Sequence, residues 1–169
     1  MMRPFAAALA AAFALPGFAC RPDSPRGASV DANGDSAVTA AGTQALRLEL
    51  LLPAQVRAGE RIAIRLRAQN VTDHAVDLYL RGRTITFDVE IARPGGAVLW
   101  HRLEGEIIPA IVQLRVLAAG ETLEVATSWD QRRADGKQVD PGDYVAQGLL
   151  LVEGEPLRTP PKSLSIVKR

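Results

Sequence analysis

Cysteine is nearly missing from these 169 residues: Cys20 stands alone. No internal disulfide can form, so its thiol must be free, intermolecular or modified. Histidine is almost as scarce. His74 lies in an Asx-rich turn and His101 beside Trp100, and neither has a second imidazole or thiol at metal-ligand spacing. Asp73 and His74 are adjacent in the chain rather than arranged as part of a triad, and no serine sits in a G-x-S-x-G elbow. An excess of charge is missing too. Of the 20 basic residues only Arg3 falls within residues 1–19, where there is no acid, and the rest of the chain balances its 19 acids. It therefore has no basic field of the kind that holds nucleic acid. The apolar run from Phe5 to Leu15 ends at Pro16-Gly17, at about half the length a membrane-spanning helix needs.

What is there begins with a targeting pattern. Arg3, the Ala- and Leu-rich stretch after it, and the small residues ahead of Ala19 form the three regions of a secretory signal. Residues 1–19 are expected to be removed, leaving Cys20 first. That context resembles a bacterial lipobox, which implies an exported lipoprotein whose Cys20 carries a thioether-linked lipid and anchors the chain to a membrane of the bacterial envelope. The alternative at the same cut is a soluble secreted or periplasmic protein. After Cys20, residues up to 44 are mostly Pro, Gly, Ser, Ala and Asp with no aromatic. They cannot bury enough apolar surface to offset chain entropy, so residues 20–44 are expected to be a flexible tether. "DANGDS" at Asp31 to Ser36 begins like a calcium loop, but Ser36 and Gly42 stand where that loop needs Gly and a bidentate Glu. It is expected to be solvated linker.

Residues 45–169 are expected to form one domain, and its hydrophobic period is two. Leu46, Leu48, Leu50 and Leu52 share one face of a strand; so do Ile62, Ile64, Leu66 and Ala68, with Arg61, Arg65 and Arg67 opposite. In "TITFDVEI" the pattern buries Ile85, Phe87, Val89 and Ile91 and turns Thr84, Thr86, Asp88 and Glu90 to water; Leu123, Val125 and Thr127 lead on to Trp129. Such alternation marks half-buried antiparallel strands. Turn residues recur between them, at "RAGE", "RPGG", "AAGE" and "DPGD" among others. The fold class expected is all-β, an immunoglobulin-like antiparallel sandwich. Tyr144, just after the Pro141-Gly142 turn, is expected to return its hydroxyl to nearby backbone as a corner clamp. Arg65, Arg67, Arg81 and Arg83 read as a solvated face balanced by acids.

The alternation breaks in "EGEIIPAIVQLRVL", residues 104–117. Ile107, Ile108, Pro109, Ala110, Ile111 and Val112 form an apolar run, and proline inside it demotes a central strand to an edge or a loop. Either the run folds over the open end of the sandwich and closes the core, or it is an apolar binding loop on a rigid scaffold. In the second case Ile107, Ile108, Pro109 and Ile111 are the partner-binding residues.

From Arg61 to about Val152 the order of residues resembles the BsuPI family of bacterial proteinase inhibitors. The similarity is carried by Asn70, Thr72, Val76 and Leu78 in "AQNVTDHAVDLYL", Phe87 and Asp88 in "TFDVEI", and Gly96, Val98 and Trp100 in "GGAVLWHR". Leu117, Gly120, Glu121 and Trp129, then Gly142, Tyr144 and Gly148, complete it. The resemblance implies an immunoglobulin-like sandwich that binds a protein, a serine proteinase being the partner the family suggests. The type member is intracellular, whereas this chain begins with an export-like segment. With no catalytic constellation, metal or cofactor implied, the expected role is non-catalytic binding in the envelope, including inhibition of a proteinase. The alternatives are a structural or assembly lipoprotein without inhibitory activity, and a small hydrolase in which His101 or His74 meets a serine or carboxylate pair.

Overall fold

Alternating leucines and isoleucines make strands here because each strand has one face on a shared core and one in water. The computed structural model describes residues 45–168; the expected signal at 1–19, lipidation at Cys20, tether at 20–44 and the "DANGDS" segment lie outside the described residues. One sheet is built from β1 (Leu46–Leu51), β3 (Ile62–Asn70) and β8 (Thr122–Trp129), in the order β1-β3-β8. The facing sheet runs β2 (Gln55–Arg57), β11 (Lys162–Val167), β9 (Gly142–Leu150), β5 (Phe87–Ala92) and β6 (Val98–His101), with β10 (Leu157–Arg158) also on β9. A separate two-stranded ribbon pairs β4 (Val76–Arg81) with β7 (Val112–Leu117). The result is an all-β, immunoglobulin-like sandwich.

The pairing is antiparallel with one exception. Strand β2 runs parallel to β11, Gln55 opposite Ser165 and Arg57 opposite Val167. Beyond β1 the chain leaves the first sheet through Leu52, Pro53 and Ala54, and joins the edge of the second as β2. A proline, which has no N–H for a ladder, sits at that switch.

Ile62, Ile64, Leu66 and Ala68 of β3 are fully buried, with Leu46 and Leu50 beside them. Val89, Ile91, Tyr144, Ala146, Leu150, Leu164 and Ile166 meet them from the second sheet. The layers approach closely at Gly148: a Cβ there would stand 2.5 Å from Leu66 Cδ1 and 3.0 Å from Leu50 Cδ1. Gln131, also buried, adopts a left-handed backbone with φ 61°, uncommon for a side chain other than glycine. Its amide donates to the carbonyls of Arg57 and Glu60 at 2.8 Å and accepts from Gly59 N–H, so a strained residue holds the turn before β3.

Thr86 and Asp88 do not face water as their positions in the alternation suggest; both are buried, and Ile85 is only half-buried. The strand starts at Phe87 rather than Thr84, after a turn through residues 82–85. Buried polar groups need partners, and both have them. Thr86 donates to Thr84 O, and Asp88 accepts the N–H groups of Val89 and Leu103.

Tyr144 donates its hydroxyl to Asp140 O, closing the corner before β9, while the Arg93 guanidinium lies 4.2 Å over its ring. Burial pushes the phenol above its ordinary range, against the smaller opposing pull of Arg93. A raised folded-state pKa favours the protonated form in the fold. The resulting stabilisation is complete below the unfolded value of about 10 and is lost as pH rises through the folded one. Urea melts should therefore show stability falling more steeply above about pH 10 in the parent than in Tyr144→Phe. Parallel slopes for the two would exclude Tyr144 as the source.

Candidate functional site

The break in alternation becomes a loop pinned at both ends, followed by a strand that has a partner on one side. Upstream, the Asp88 carboxylate holds the turn after β6: one oxygen accepts Leu103 N–H at 3.1 Å, the other lies 3.2 Å from His101 Nδ1. Arg102 lies 4.3 Å over the Phe87 ring and donates to Phe87 O at 2.7 Å. Downstream, Ile111 N–H donates to Pro109 O at 2.8 Å and Ile111 O accepts Gly82 N–H at 2.7 Å. Gln113 donates its amide to Gly82 O. Glycine suits position 82 because its φ is +94° and a Cβ would collide with Thr86 Oγ1.

Between these anchors Ile107 is 94% exposed, while Ile108 and Pro109 are half-buried and Ile111 is 38% exposed. Core closure is therefore not the role of Ile107, the first residue of the run, which faces water rather than the sandwich.

In β7 the apolar side chains turn outward. Val112, Leu114 and Val116 are all exposed, Leu114 at 57%. The register sets Tyr79 opposite Leu114, Arg81 opposite Val112 and Asp77 opposite Val116. Directly opposed residues share a face. That face is thus an aliphatic row with one tyrosine across from its centre, an acid at one end and a base at the other. Leu78 and Leu80 on the reverse of β4 are buried and tie the ribbon to the core. Arg81 N–H donates to Leu151 O, and Glu153 N–H donates to Tyr79 O, securing β4 on its other side. Among the described residues β7 pairs only with β4, so its second backbone edge has no strand partner. Proteins usually blunt such an edge.

The sequence pointed to Ile107, Ile108, Pro109 and Ile111, with Val112 in the same apolar run, but missed Leu114, Val116 and Tyr79. The available signal was the alternation "VQLRV" itself.

Chemistry elsewhere is muted. His101 does meet two carboxylates, with Nε2 4.0 Å from Glu104 as well as Nδ1 near Asp88, but Asp88 is occupied with two backbone N–H groups. The His74 ring lies against the Asp73 carboxylate, in an exposed turn. No group of His, Cys, Asp and Glu among the described residues could hold a metal ion. Arg67 donates to Glu124 at 2.5 Å and lowers that carboxyl's pKa, with Arg65 3.8 Å away. Arg65 and Arg67 are balanced by an acid as expected, whereas Arg81 and Arg83 lie apart from them, at the end of β4 and in the turn that follows. Two surface recesses, one around Arg47, Glu49 and Arg67 and the other around Arg93, Arg133 and Tyr144, include neither histidine.

Residues 51–155 match the family model described as BsuPI, intracellular proteinase inhibitor. No curated protein matches the sequence. Among solved structures, the chain is similar to the sporulation control protein Spo0M of Bacillus subtilis at 10% identity and a TM-score of 0.46, covering 72% of this chain and 49% of that one. It is also similar to the alkylpurine DNA glycosylase AlkC of Pseudomonas fluorescens, bound to DNA containing an abasic site analog, at 19% identity and a TM-score of 0.42, covering 72% and 30%. A CARDB domain from Pyrococcus furiosus in complex with di-metal ions is 12% identical with a TM-score of 0.39, covering 72% and 87%. The chain thus spans less than half the length of the glycosylase and about half that of Spo0M. At these identities the likeness does not extend to activity.

Proposed function

We propose, from the premise that this chain belongs to the BsuPI family of intracellular proteinase inhibitors, that it acts by binding rather than by chemistry and that its partner is a proteinase. The observation that carries this reading is the row Val112, Leu114 and Val116 with Tyr79, left exposed on a ribbon anchored to the core by its other side. A contiguous apolar surface of this kind marks an interaction site more often than an accident of packing. Its charged ends, Asp77 and Arg81, fix the orientation of a partner with opposite charges at matching places. The loop residues Ile107, Ile108, Pro109 and Ile111 continue the contact, and inhibition follows from occlusion. The same proposal sets the chain in the bacterial envelope with a lipid on Cys20, on the strength of the apolar run from Phe5 to Leu15 and the lone cysteine after it.

The test uses the full chain purified from membranes and assayed against subtilisin, elastase and trypsin. Burying a leucine side chain contributes about 1.5–3 kcal/mol, so Leu114→Asp should weaken inhibition at least about tenfold. The thermal midpoint should hardly move, since that side chain is already exposed. Equal inhibition by the folded variant would remove the ribbon face. A parent that inhibits none of the three would remove the inhibitor reading. Intact mass of the same preparation should show acyl groups on a chain beginning at Cys20, and an unmodified cysteine would remove the anchor.

A further inference from the structure

Exposed apolar residues are ordinary when scattered, but Ile107 is held out. It sits at the centre of a loop fixed within four residues upstream by Leu103 N–H on Asp88, and four residues downstream by Gly82 N–H on Ile111 O. Glu106 N–H donates to Leu103 O at 2.9 Å, and from Glu106 to Pro109 there is no turn or helix. Pro109 restricts the backbone on the far side. The tip is therefore short, pre-ordered and free to lie along a surface as an open strand of chain, and ordering it on binding costs little entropy. Glu104 and Glu106, both exposed, precede it.

Resting on the proteinase reading above, we infer that Ile107 is the anchor of inhibition: its side chain enters the primary specificity pocket of a serine proteinase whose pocket is apolar and uncharged. The chain from Glu104 to Pro109 lies in the active-site cleft as a substrate would. The two glutamates select a cleft that is not acidic on the side preceding the pocket. The ribbon face, several residues further on, supplies area beside the cleft. A primary pocket reads one side chain and discriminates by its charge and size, so changing Ile107 should change which enzyme is blocked rather than merely how tightly.

The experiment compares the full-length parent with Ile107→Asp and Ile107→Arg against elastase and subtilisin, whose pockets accept apolar groups, and trypsin, whose pocket carries a carboxylate. Because Ile107 touches almost nothing in the domain, all three proteins should melt together. Ile107→Asp should weaken inhibition of the apolar-pocket enzymes by about thirtyfold or more, the loss expected for a central anchor. Ile107→Arg should lose those enzymes and gain trypsin. Enzyme whose pocket is already filled by a covalent active-site inhibitor should fail to bind the parent. Unchanged inhibition by both variants, or undiminished binding to blocked enzyme, would overturn the anchor while leaving the proteinase reading in place. A parent that inhibits none of the three enzymes would end both.

Discussion

Trp129→Ala is expected to cost about 3–5 kcal/mol, the usual loss when a buried large aromatic is truncated. Typical domains have only about 5–15 kcal/mol to lose. Trp129 closes β8 opposite Ile62 and is fully buried. Its ring lies 6.0 Å from Trp100 on β6 and 6.0 Å, edge-on, from Tyr144 on β9. The indole therefore joins the two sheets at one end. It also donates Nε1–H to Arg132 O at 2.7 Å, a bond no hydrocarbon replaces. Trp129→Phe keeps most of the burial and forfeits that bond, so its loss should be smaller, about 1–2 kcal/mol. Urea titration measures both: the midpoint should fall in that order with unchanged slope. A loss under about 1 kcal/mol for the alanine variant would mean that the sheets are joined elsewhere.

Asn70→Asp should be comparably severe, for an electrostatic reason. Asn70 is fully buried. Its amide nitrogen donates to His74 O at 2.7 Å and to Leu117 O and Ala118 O at 3.0 Å, while Oδ1 accepts from Thr72 N and Oγ1. One side chain thus ties the loop after β3 to the end of β7. Aspartate would set a carboxylate oxygen against three carbonyls and supply no donor. Protonation relieves the clash, so the carboxyl's folded pKa must rise above the unfolded value of about 3.9. The penalty relative to the parent should be smallest below that value and grow as pH rises through the folded one. Asn70→Ala also leaves carbonyls unpaired, at about 1–3 kcal/mol each, but without this pH dependence. Comparing midpoints at pH 3.5 and 7 separates the two mechanisms, and a pH-independent aspartate penalty would refute the electrostatic one.

Alternation reported the core faces of β1, β3 and β8 because on each strand large apolar side chains recur at every second residue and are the more buried ones, Leu46 and Leu50, Ile62, Ile64 and Leu66, Leu123 and Trp129, with mainly polar residues between them. It failed at Thr86 and Asp88, where polar side chains are buried on partners distant in sequence or supplied by the turn itself; period two registers polarity, not partnership. It also could not show the outward turn of Val112, Leu114 and Val116. Alternation establishes which side chains share a face, but which face meets the core depends on pairing with β4, a contact that skips some thirty residues of chain. Pro109 was more informative. A missing donor is a local fact, and it foretold a loop and an edge. Ile107 was legible as part of an apolar run, whereas its protrusion depends on anchors at Asp88 and Gly82 that only the fold brings near.

The parallel pairing of β2 with β11 sets the order of events when this domain is made. Gln55 and Ser165 lie opposite one another, so the edge of the larger sheet stays open until nearly all of the described chain has left the ribosome. Contacts this distant must absorb their loop-closure entropy before they return any stabilisation, which places sandwiches among the slow folders. During synthesis β1 and β3 can pair early, through the ten residues 52–61, and await β8. The second sheet closes last, leaving an interval in which a chaperone can meet a half-built sandwich with its isoleucine-rich interior still uncovered.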